Sequence, residues 1–373
     1  MKKYENKNLG ITLVALVITI VILLILAGIS ISTLTNTGIF QKAKDAKDAS
    51  ENAEKEQKQT LNEYEKELNK YTAQELTNDK VNKVLSETEN TILKDVNENI
   101  FTLPAGFKVV VNDDTGNAKT VDKGIVIEDA TSGATAGSQF VWIPVGTITK
   151  ADGKTTTINL DRYTFDSNGN PIAQGEKAVQ KYYQELNRSD KGNTVAKSIA
   201  NFKSSVTANG GYYISRYEAR KNATSGKLTE VNSDSVWNNI TQPDAATQAR
   251  NMYDEQQPFT SDLMNSYAWD TAITFIQNCT DKTNYANQTS LNKSLSQTGT
   301  TNDNPCNIFD MASNVWEWTT ETSSRISSAT LSEAPCAYRG GLYGNSRYYT
   351  SYRGDTGLSD SSNIIGFRPL LYL

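Results

Sequence analysis

The residue types available for catalysis or metal binding are limited in this sequence, because the chain of 373 residues contains no histidine. Without histidine, Ser-His-Asp and Cys-His hydrolysis and HExxH metal sites are excluded. The three cysteines, Cys279, Cys306 and Cys336, form no CxxC pair. They therefore predict no zinc site and at most one disulfide within the chain.

A second chemistry, recognition by tyrosine and small polar side chains, is concentrated near the C-terminus. Residues 342–363, between the strings RGG and IGFR, consist mainly of Tyr, Ser, Asn, Gly, Asp, Thr and Arg. Antibody paratopes use the same types, because tyrosine offers a large contact area with few rotatable bonds. We predict that the ligand-binding residues are Tyr343, Asn345, Arg347, Tyr348, Tyr349, Tyr352 and Asp355, exposed on one face with about a third of them buried.

The net charge argues against nucleic acid as a partner. The chain carries a formal charge of −5 and a pI near 5.1, so it has no overall basic field.

An apolar N-terminal segment is predicted to anchor the chain, and with it the predicted binding residues, at a membrane. After Lys2, Lys3 and Lys7 no charged residue occurs before Lys42, and residues 11–31 are almost wholly apolar. That length matches the roughly 20 residues of a membrane-spanning helix and exceeds the core of a secretory signal peptide. We expect a transmembrane helix over residues 11–32 with its basic flank in the cytoplasm. An ordinary signal anchor remains an alternative.

The string KNLGITLVALVITI resembles the class III signal of type IV pilins and pseudopilins. In that family a prepilin peptidase cuts after the glycine, which implies that residues 1–10 are a leader, that Gly10 and Ile11 flank the processing site, and that Ile11 begins the mature chain. Ala15 occupies the position where the family usually has glutamate. This departure favours a minor pilin, or a pilin-like anchor that does not polymerise, over a long pilus.

Residues 33–99 are predicted to form a helical stalk and linker. From Ile39 to about Tyr71, alanines and then leucines and tyrosines recur at three- and four-residue spacing among alternating lysines and acids. A stripe this narrow cannot build a globular core, so we expect a solvated or weakly coiled stalk. The residues after it to about Asn99 are predicted to continue as a polar, helical linker.

A separate domain is predicted for residues 100–373. Short β-branched and aromatic runs, punctuated by Gly, Pro and Asp, predict strands in FTLPAGFKVVV, DKGIVIED, SQFVWIPVG and GGYYISRYEAR. The string SYAWDTAITFIQ predicts a helix with one apolar face. We expect the core to be anchored by Trp142, Trp269, Trp316, Trp318 and Phe367.

Five ordered motifs, FVWIPVG, YISRYEA, NIFDMASNVWEWTTE, YRGG and IGFRPLL, resemble the formylglycine-generating enzyme family. The resemblance implies an elaborated C-type lectin-like domain, and the whole chain is then an α+β protein with an N-terminal transmembrane helix and helical stalk. In such a domain Glu317 would alternate with two tryptophans on a strand, Gly340 and Gly341 would permit close backbone approach, and Arg368 would pair with a buried acid.

The active members of that family bind copper with a cysteine pair in the segment after RGG, and this chain has no cysteine there. We therefore predict no enzymatic activity and no cofactor, with a formylglycine-generating oxidase as the alternative. Cys306 and Cys336 are expected to be buried thiols or a disulfide. Asn314 and Glu317 match positions near a calcium site in some family members, and oxygen ligands suit that ion. These two residues alone do not predict a calcium site.

Residues 342–363 also resemble the variable region of proteins diversified by retroelements. The sequence thus predicts a binding protein at the bacterial cell membrane, single-pass, with its C-terminal domain outside the cell. Its expected partners are the membrane, a protein or glycan ligand, prepilin peptidase and other pilin-like subunits. A structural role as a minor pilin or pseudopilin is the third option.

Overall fold

The computed structural model describes residues 19–20, 39–185, 195–221, 228–229, 235–253, 257–324 and 336–373. The chain divides into two units, Met1–Tyr64 and Glu65–Leu373. The predicted leader and membrane segment lie outside the described residues, except for the helical residues 19 and 20. Among the helices that the structure describes, none is both long and apolar enough to cross a bilayer.

The described part of the chain has a mixed α+β architecture. Its helices are α1 (Ile39–Thr72), α2 (Ile199–Asn209), α3 (Gln242–Arg250) and α4 (Ser266–Cys279). Its strands are β1 (Gln74–Glu75), β2 (Thr91–Lys94), β3 (Ile100–Leu103), β4 (Phe107–Val110), β5 (Val126–Asp129), β6 (Gln139–Pro144), β7 (Gly146–Thr149), β8 (Thr155–Ile158), β9 (Tyr163–Phe165), β10 (Pro171–Ala173), β11 (Tyr183–Gln184), β12 (Gly211–Ser215), β13 (Arg220–Lys221), β14 (Leu228–Thr229), β15 (Thr260–Leu263), β16 (Trp316–Ser323), β17 (Cys336–Arg339), β18 (Arg353–Thr356), β19 (Ile365–Phe367) and β20 (Pro369–Tyr372).

The residues predicted to form the helical stalk form the helix α1, whose 34 residues coincide closely with the predicted helical range. The larger apolar side chains that the structure describes on it stay in solvent, with Leu61 57% and Tyr71 85% exposed. Lys47 and Glu51, one turn apart, form an exposed ion pair at 3.5 Å. Such pairs contribute only tenths of a kcal/mol each, as expected for a solvated helix.

The prediction that the helix continues to Asn99 is wrong. β1 and β2 pair in parallel, and β2 pairs antiparallel with β3. Leu93 on β2 is fully buried, and the carboxylate of Asp95 accepts a hydrogen bond from the Val121 backbone N–H at 2.8 Å. The run TIL is too short for its periodicity to predict a strand. It forms one because pairing with β3 buries Leu93.

The core lies on a six-stranded sheet in the order β15-β20-β12-β6-β5-β4. Four of the predicted strand runs supply β3 to β6 and β12, as expected from their β-branched and aromatic composition. Trp142 on β6 and Tyr213 on β12 lie directly opposite each other, with ring centroids 4.9 Å apart. The five predicted aromatic anchors are all buried, with at most 8% exposure.

The predicted helix over SYAWDTAITFIQ is α4. The Asn265 side chain caps its N-terminus by accepting a hydrogen bond from the Ala268 N–H at 2.9 Å. The helix is buried nearly all round rather than on one face, because elements pack on several sides of it. Asp270 is consequently buried with it, which requires cationic partners nearby.

Candidate ligand-binding surface

A second sheet holds both ends of the predicted binding segment. Its order is β11-β16-β17-β18, and β19 pairs in parallel with β16. Antiparallel pairing of β17 with β18 places Arg339 opposite Arg353 and Ala337 opposite Asp355. The segment therefore leaves the sheet at the end of β17, returns along β18, and leaves again toward β19.

Two glycines fix the point where the chain leaves β17. Gly340 has a φ of +92°, and a Cβ at Gly341 would lie 1.8 Å from the carbonyl oxygen of Ala312. Only glycine allows the backbone to approach this closely. The predicted role of the glycine pair is confirmed.

A cluster of aromatic rings forms the base of the surface. The ring of Trp316 lies 4.7 Å from that of Tyr338 and 4.6 Å from that of Tyr348. Tyr352 contacts Tyr348 at 4.8 Å and Tyr349 at 5.9 Å. The cluster ties the binding segment to the framework tryptophan, whose buried indole N–H has no hydrogen-bond partner among the described residues.

The seven predicted binding residues all keep contact with solvent. Arg347 is exposed, and its backbone N–H donates to the Asn345 side chain at 2.9 Å. The other six are half-buried: Tyr343, Asn345, Tyr348, Tyr349, Tyr352 and Asp355. None is fully buried, whereas about a third were expected to be. Tyr343, Tyr348 and Tyr352 pack against the core with part of their surface and keep the rest in solvent.

Beneath the aromatic cluster, Arg368 forms the predicted pair with a buried acid. Its guanidinium donates to both carboxylate oxygens of Glu317, at 2.8 and 2.6 Å. Both residues are fully buried, and the neighbouring carboxylates raise the pKa of Arg368 against the opposing effect of burial. The pair joins β16 to the chain end, as a framework role requires.

The oxygens that calcium would need are already engaged. Both oxygens of Glu317 bind Arg368, and the side-chain oxygen of Asn314 accepts from the Ser296 N–H at 2.9 Å. The Asn314 amide donates to Glu218, whose pKa is raised well above its usual value by burial and by neighbouring acids. These two side chains therefore do not fit a calcium ion.

A second ionic cluster holds the two strands that flank the segment. Arg353 donates to Asp270 at 2.6 Å and to Glu321 at 3.0 Å, and Arg339 also pairs with Asp270. Burial alone would raise the pKa of Glu321, but Arg353, Arg162 and Arg339 outweigh it and lower the pKa to about 2. The Glu321 carboxylate is thus kept ionised beside the arginines of both strands.

The cysteines are free thiols, and none lies in the binding segment. Cys279 and Cys306 line one cavity of about 450 Å³ together with Asp122, whereas Cys336 begins β17. Burial raises the pKa of Cys279 and of Cys336 to about 12. The thiols are therefore protonated at neutral pH, and the segment after RGG lacks the residues that a copper pair would use.

Sequence reasoning missed a second loop, residues 288–296, beside the binding segment. The Gly344 N–H donates to the carbonyl of Asn292 at 2.7 Å, and the Thr350 N–H donates to that of Gln288 at 3.0 Å. Asn314 contacts both residues 288–296 and the binding segment. Its side-chain oxygen accepts from the Ser296 N–H, and its backbone carbonyl accepts from the Tyr343 N–H at 2.8 Å. The one available signal was a pair of leucines in an otherwise polar stretch.

Comparison with known families agrees with this framework. The sulfatase-modifying factor enzyme 1-like domain matches residues 137–371, which is more than half of the chain. The chain belongs to this family. Among curated proteins none matches the chain.

One solved structure, titled "Crystal Structure of CarF", is similar at 14% identity, covering 43% of this chain and 86% of that one, with a TM-score of 0.31. A similarity at that level carries no conclusion about this chain.

Proposed function

We propose that this protein is a non-catalytic, ligand-binding member of the family, displayed at the bacterial cell surface. The main support for the proposal is the difference in burial between the strands that hold residues 342–363 and the predicted binding side chains. The strands at its two ends are buried and held by ion pairs, while all seven predicted binding residues between and along them remain accessible. A rigid support under adaptable polar and aromatic side chains is what a recognition surface needs.

The absence of catalysis is part of the proposal. No cysteine lies in residues 342–363, and burial keeps the chain's thiols protonated. Because thiolate is the form that binds copper and attacks electrophiles, buried thiols suit packing better than oxidation chemistry. Copper-loaded protein should not oxidise the cysteine of a sulfatase-type peptide, and turnover lost on replacing Cys306 or Cys336 would reverse the assignment.

The anchor is proposed from the N-terminal sequence. Prepilin peptidase would cut between Gly10 and Ile11, and the segment 11–32 would hold the C-terminal domain outside the cell membrane. With Ala15 in place of the usual glutamate, we favour an anchor that does not polymerise. N-terminal sequencing of the membrane fraction should find Ile11, and Gly10→Val should abolish that end. An intact Met1 in the wild type would contradict the proposal.

Diversification of the segment by a retroelement is a further part of the proposal, supported by its composition and its position between RGG and IGFR. A reverse transcriptase gene beside a near-copy of the terminal coding segment would support it. Neighbouring genes for a prepilin peptidase and an assembly ATPase alone would favour the structural role in a pilus.

The binding role is tested by substitution. The chain is screened against a glycan array and a library of cell-surface proteins, and each hit is retested with Arg347→Ala and Tyr349→Ala. Hot spots are enriched in Arg and Tyr, so each change should weaken binding by about 2 kcal/mol. Lys154→Ala, a cation 78% exposed elsewhere, is the matched control. Hits unaffected by both variants would contradict the proposed surface.

A further inference from the structure

The loop of residues 288–296 presents apolar side chains to solvent beside the binding segment. Leu291 is 74% and Leu295 43% exposed. Single exposed leucines are common, but these two are four residues apart in one loop. Leu291 precedes Asn292, which binds Gly344, and Leu295 precedes Ser296, which binds the side chain of Asn314. Both leucines therefore flank the proposed surface.

The same loop and the binding segment each contribute an uncompensated cation. Lys293 and Arg347 are exposed, and neither forms an ion pair with any residue that the structure describes. A Cβ on Gly344 would lie 3.1 Å from the Lys293 carbonyl oxygen, so the two backbones touch at that point. The two cations and the two exposed leucines therefore lie on adjoining backbone segments of a chain whose net charge is −5. Such a patch matches a partner with carboxylates and aliphatic groups.

We infer that the recognition surface consists of both strips, residues 288–296 and 342–352, and that its partner is an acidic polypeptide segment bearing aliphatic side chains. The leucines would contact the aliphatic groups, and Lys293 and Arg347 the carboxylates. This inference rests on the proposed function, and it specifies the ligand as a polypeptide instead of a glycan.

The test uses the purified full chain and an array of synthetic peptides composed of Asp, Glu, Leu, Ile and Val. Matched peptides carry Asn and Gln in place of the acids. We expect the acidic peptides to bind at least tenfold more tightly than the amide peptides, and Lys293→Glu combined with Arg347→Glu to reverse that preference. Leu291→Ser should weaken binding at least fivefold, whereas Ile172→Ser, at a side chain 52% exposed elsewhere, should not.

The outcomes separate this inference from the function on which it rests. Equal binding of acidic and amide peptides, or tighter binding to anionic lipid vesicles or duplex DNA, would overturn it. If a glycan hit depends on Arg347 and Tyr349 but not on Leu291 or Lys293, the proposed function stands and the inference fails. If no hit depends on either strip, both fail. Unchanged melting temperatures of the variants would show that the effects are not due to unfolding.

Discussion

At the scale of single residues, one residue type serves two opposite purposes in this protein. Arg339, Arg353 and Arg368 are buried and paired with carboxylates, while Arg347 lies in solvent between them in sequence. Removing one partner of a buried pair leaves an uncompensated charge and costs about 3–5 kcal/mol, whereas an exposed arginine can be replaced at little cost. The environment, not the residue type, decides which arginine is available for a ligand.

Asp310 allows a prediction about pH. Burial, together with the charge of Asp303, raises its pKa from 3.8 to about 7, and its Oδ2 has no hydrogen-bond partner among the described residues. A carboxyl with a raised pKa in the folded state contributes stability that is present below pH 3.8 and lost as the pH rises through about 7. We expect Asp310→Asn to remove this loss and to increase the unfolding free energy at pH 8 by about 1 kcal/mol or more.

Asparagine suits that site because its side-chain oxygen can accept from Thr301 and Ser313, and because it tolerates the φ of +67°. Urea unfolding from pH 4 to 8 measures the effect. Asp281→Asn, the same substitution at an exposed site, is the control. Parallel profiles for Asp310→Asn and the wild type would show that Asp310 does not titrate as proposed.

At the scale of elements, the connection between β17 and β18 is specified at its start by backbone packing. The carbonyls of Met311 and Ala312 lie against Gly340 and Gly341, which is where the chain turns out of the sheet. The rest of the connection then lies along residues 288–296 through backbone hydrogen bonds. These contacts use the main chain, so they do not depend on the side chains at Gly344 and Thr350.

We predict that Gly341→Ala is far more damaging than an alanine at Gly116, a glycine with left-handed backbone. Its Cβ would meet the Ala312 carbonyl oxygen at 1.8 Å, so the backbone must shift, and a loss above about 3 kcal/mol is expected. Gly116→Ala has a φ of +60° but no atom within 4 Å, and it should cost about 1–2 kcal/mol. Denaturant midpoints measure both, and equal losses would mean that the close approach is not required.

At the scale of the whole molecule, the folded unit begins earlier than the change in sequence texture near Phe101 indicates. β2 belongs to the same sheet as β3, and Leu93 is part of the core. The Asn99 side chain also accepts from the Thr149 N–H at 2.7 Å. The stretch before Phe101 is therefore structural, while Leu61, Tyr64 and Leu68 on α1 are exposed.

Two truncations test this boundary. A chain beginning at Ala73 should unfold within a few degrees of the full chain, because it keeps β1 and β2. A chain beginning at Ile100 loses Leu93 and Asp95 from the core, and we expect its melting temperature to fall by about 5 °C or more or the protein to be insoluble. Equal melting temperatures would show that the unit starts at Ile100, as predicted from sequence.

Local pattern was enough for much of the architecture. The helix α1, the strand runs from β3 to β6 and the aromatic anchors could be predicted from periodicity, turn residues and composition, whereas the Arg368 pair followed from the family resemblance. The family also followed from ordered motifs, which the match over residues 137–371 confirms. The apolar N-terminal segment and its processing site remain predictions from the sequence.

Other features depend on contacts between residues far apart in the chain. No local sequence pattern predicts the pairing of β2 with β3, the burial of α4 on nearly all sides, or the position of residues 288–296 beside Gly344. The half-buried state of Tyr348 likewise follows from Trp316, which lies elsewhere in the sequence. The sequence by itself determined the helices α1 and α4, the strands β3 to β6 and β12, and the polar, aromatic composition of the candidate segment. Only the tertiary structure decided which of them lie together, because burial and hydrogen-bond partners are properties of the packed chain.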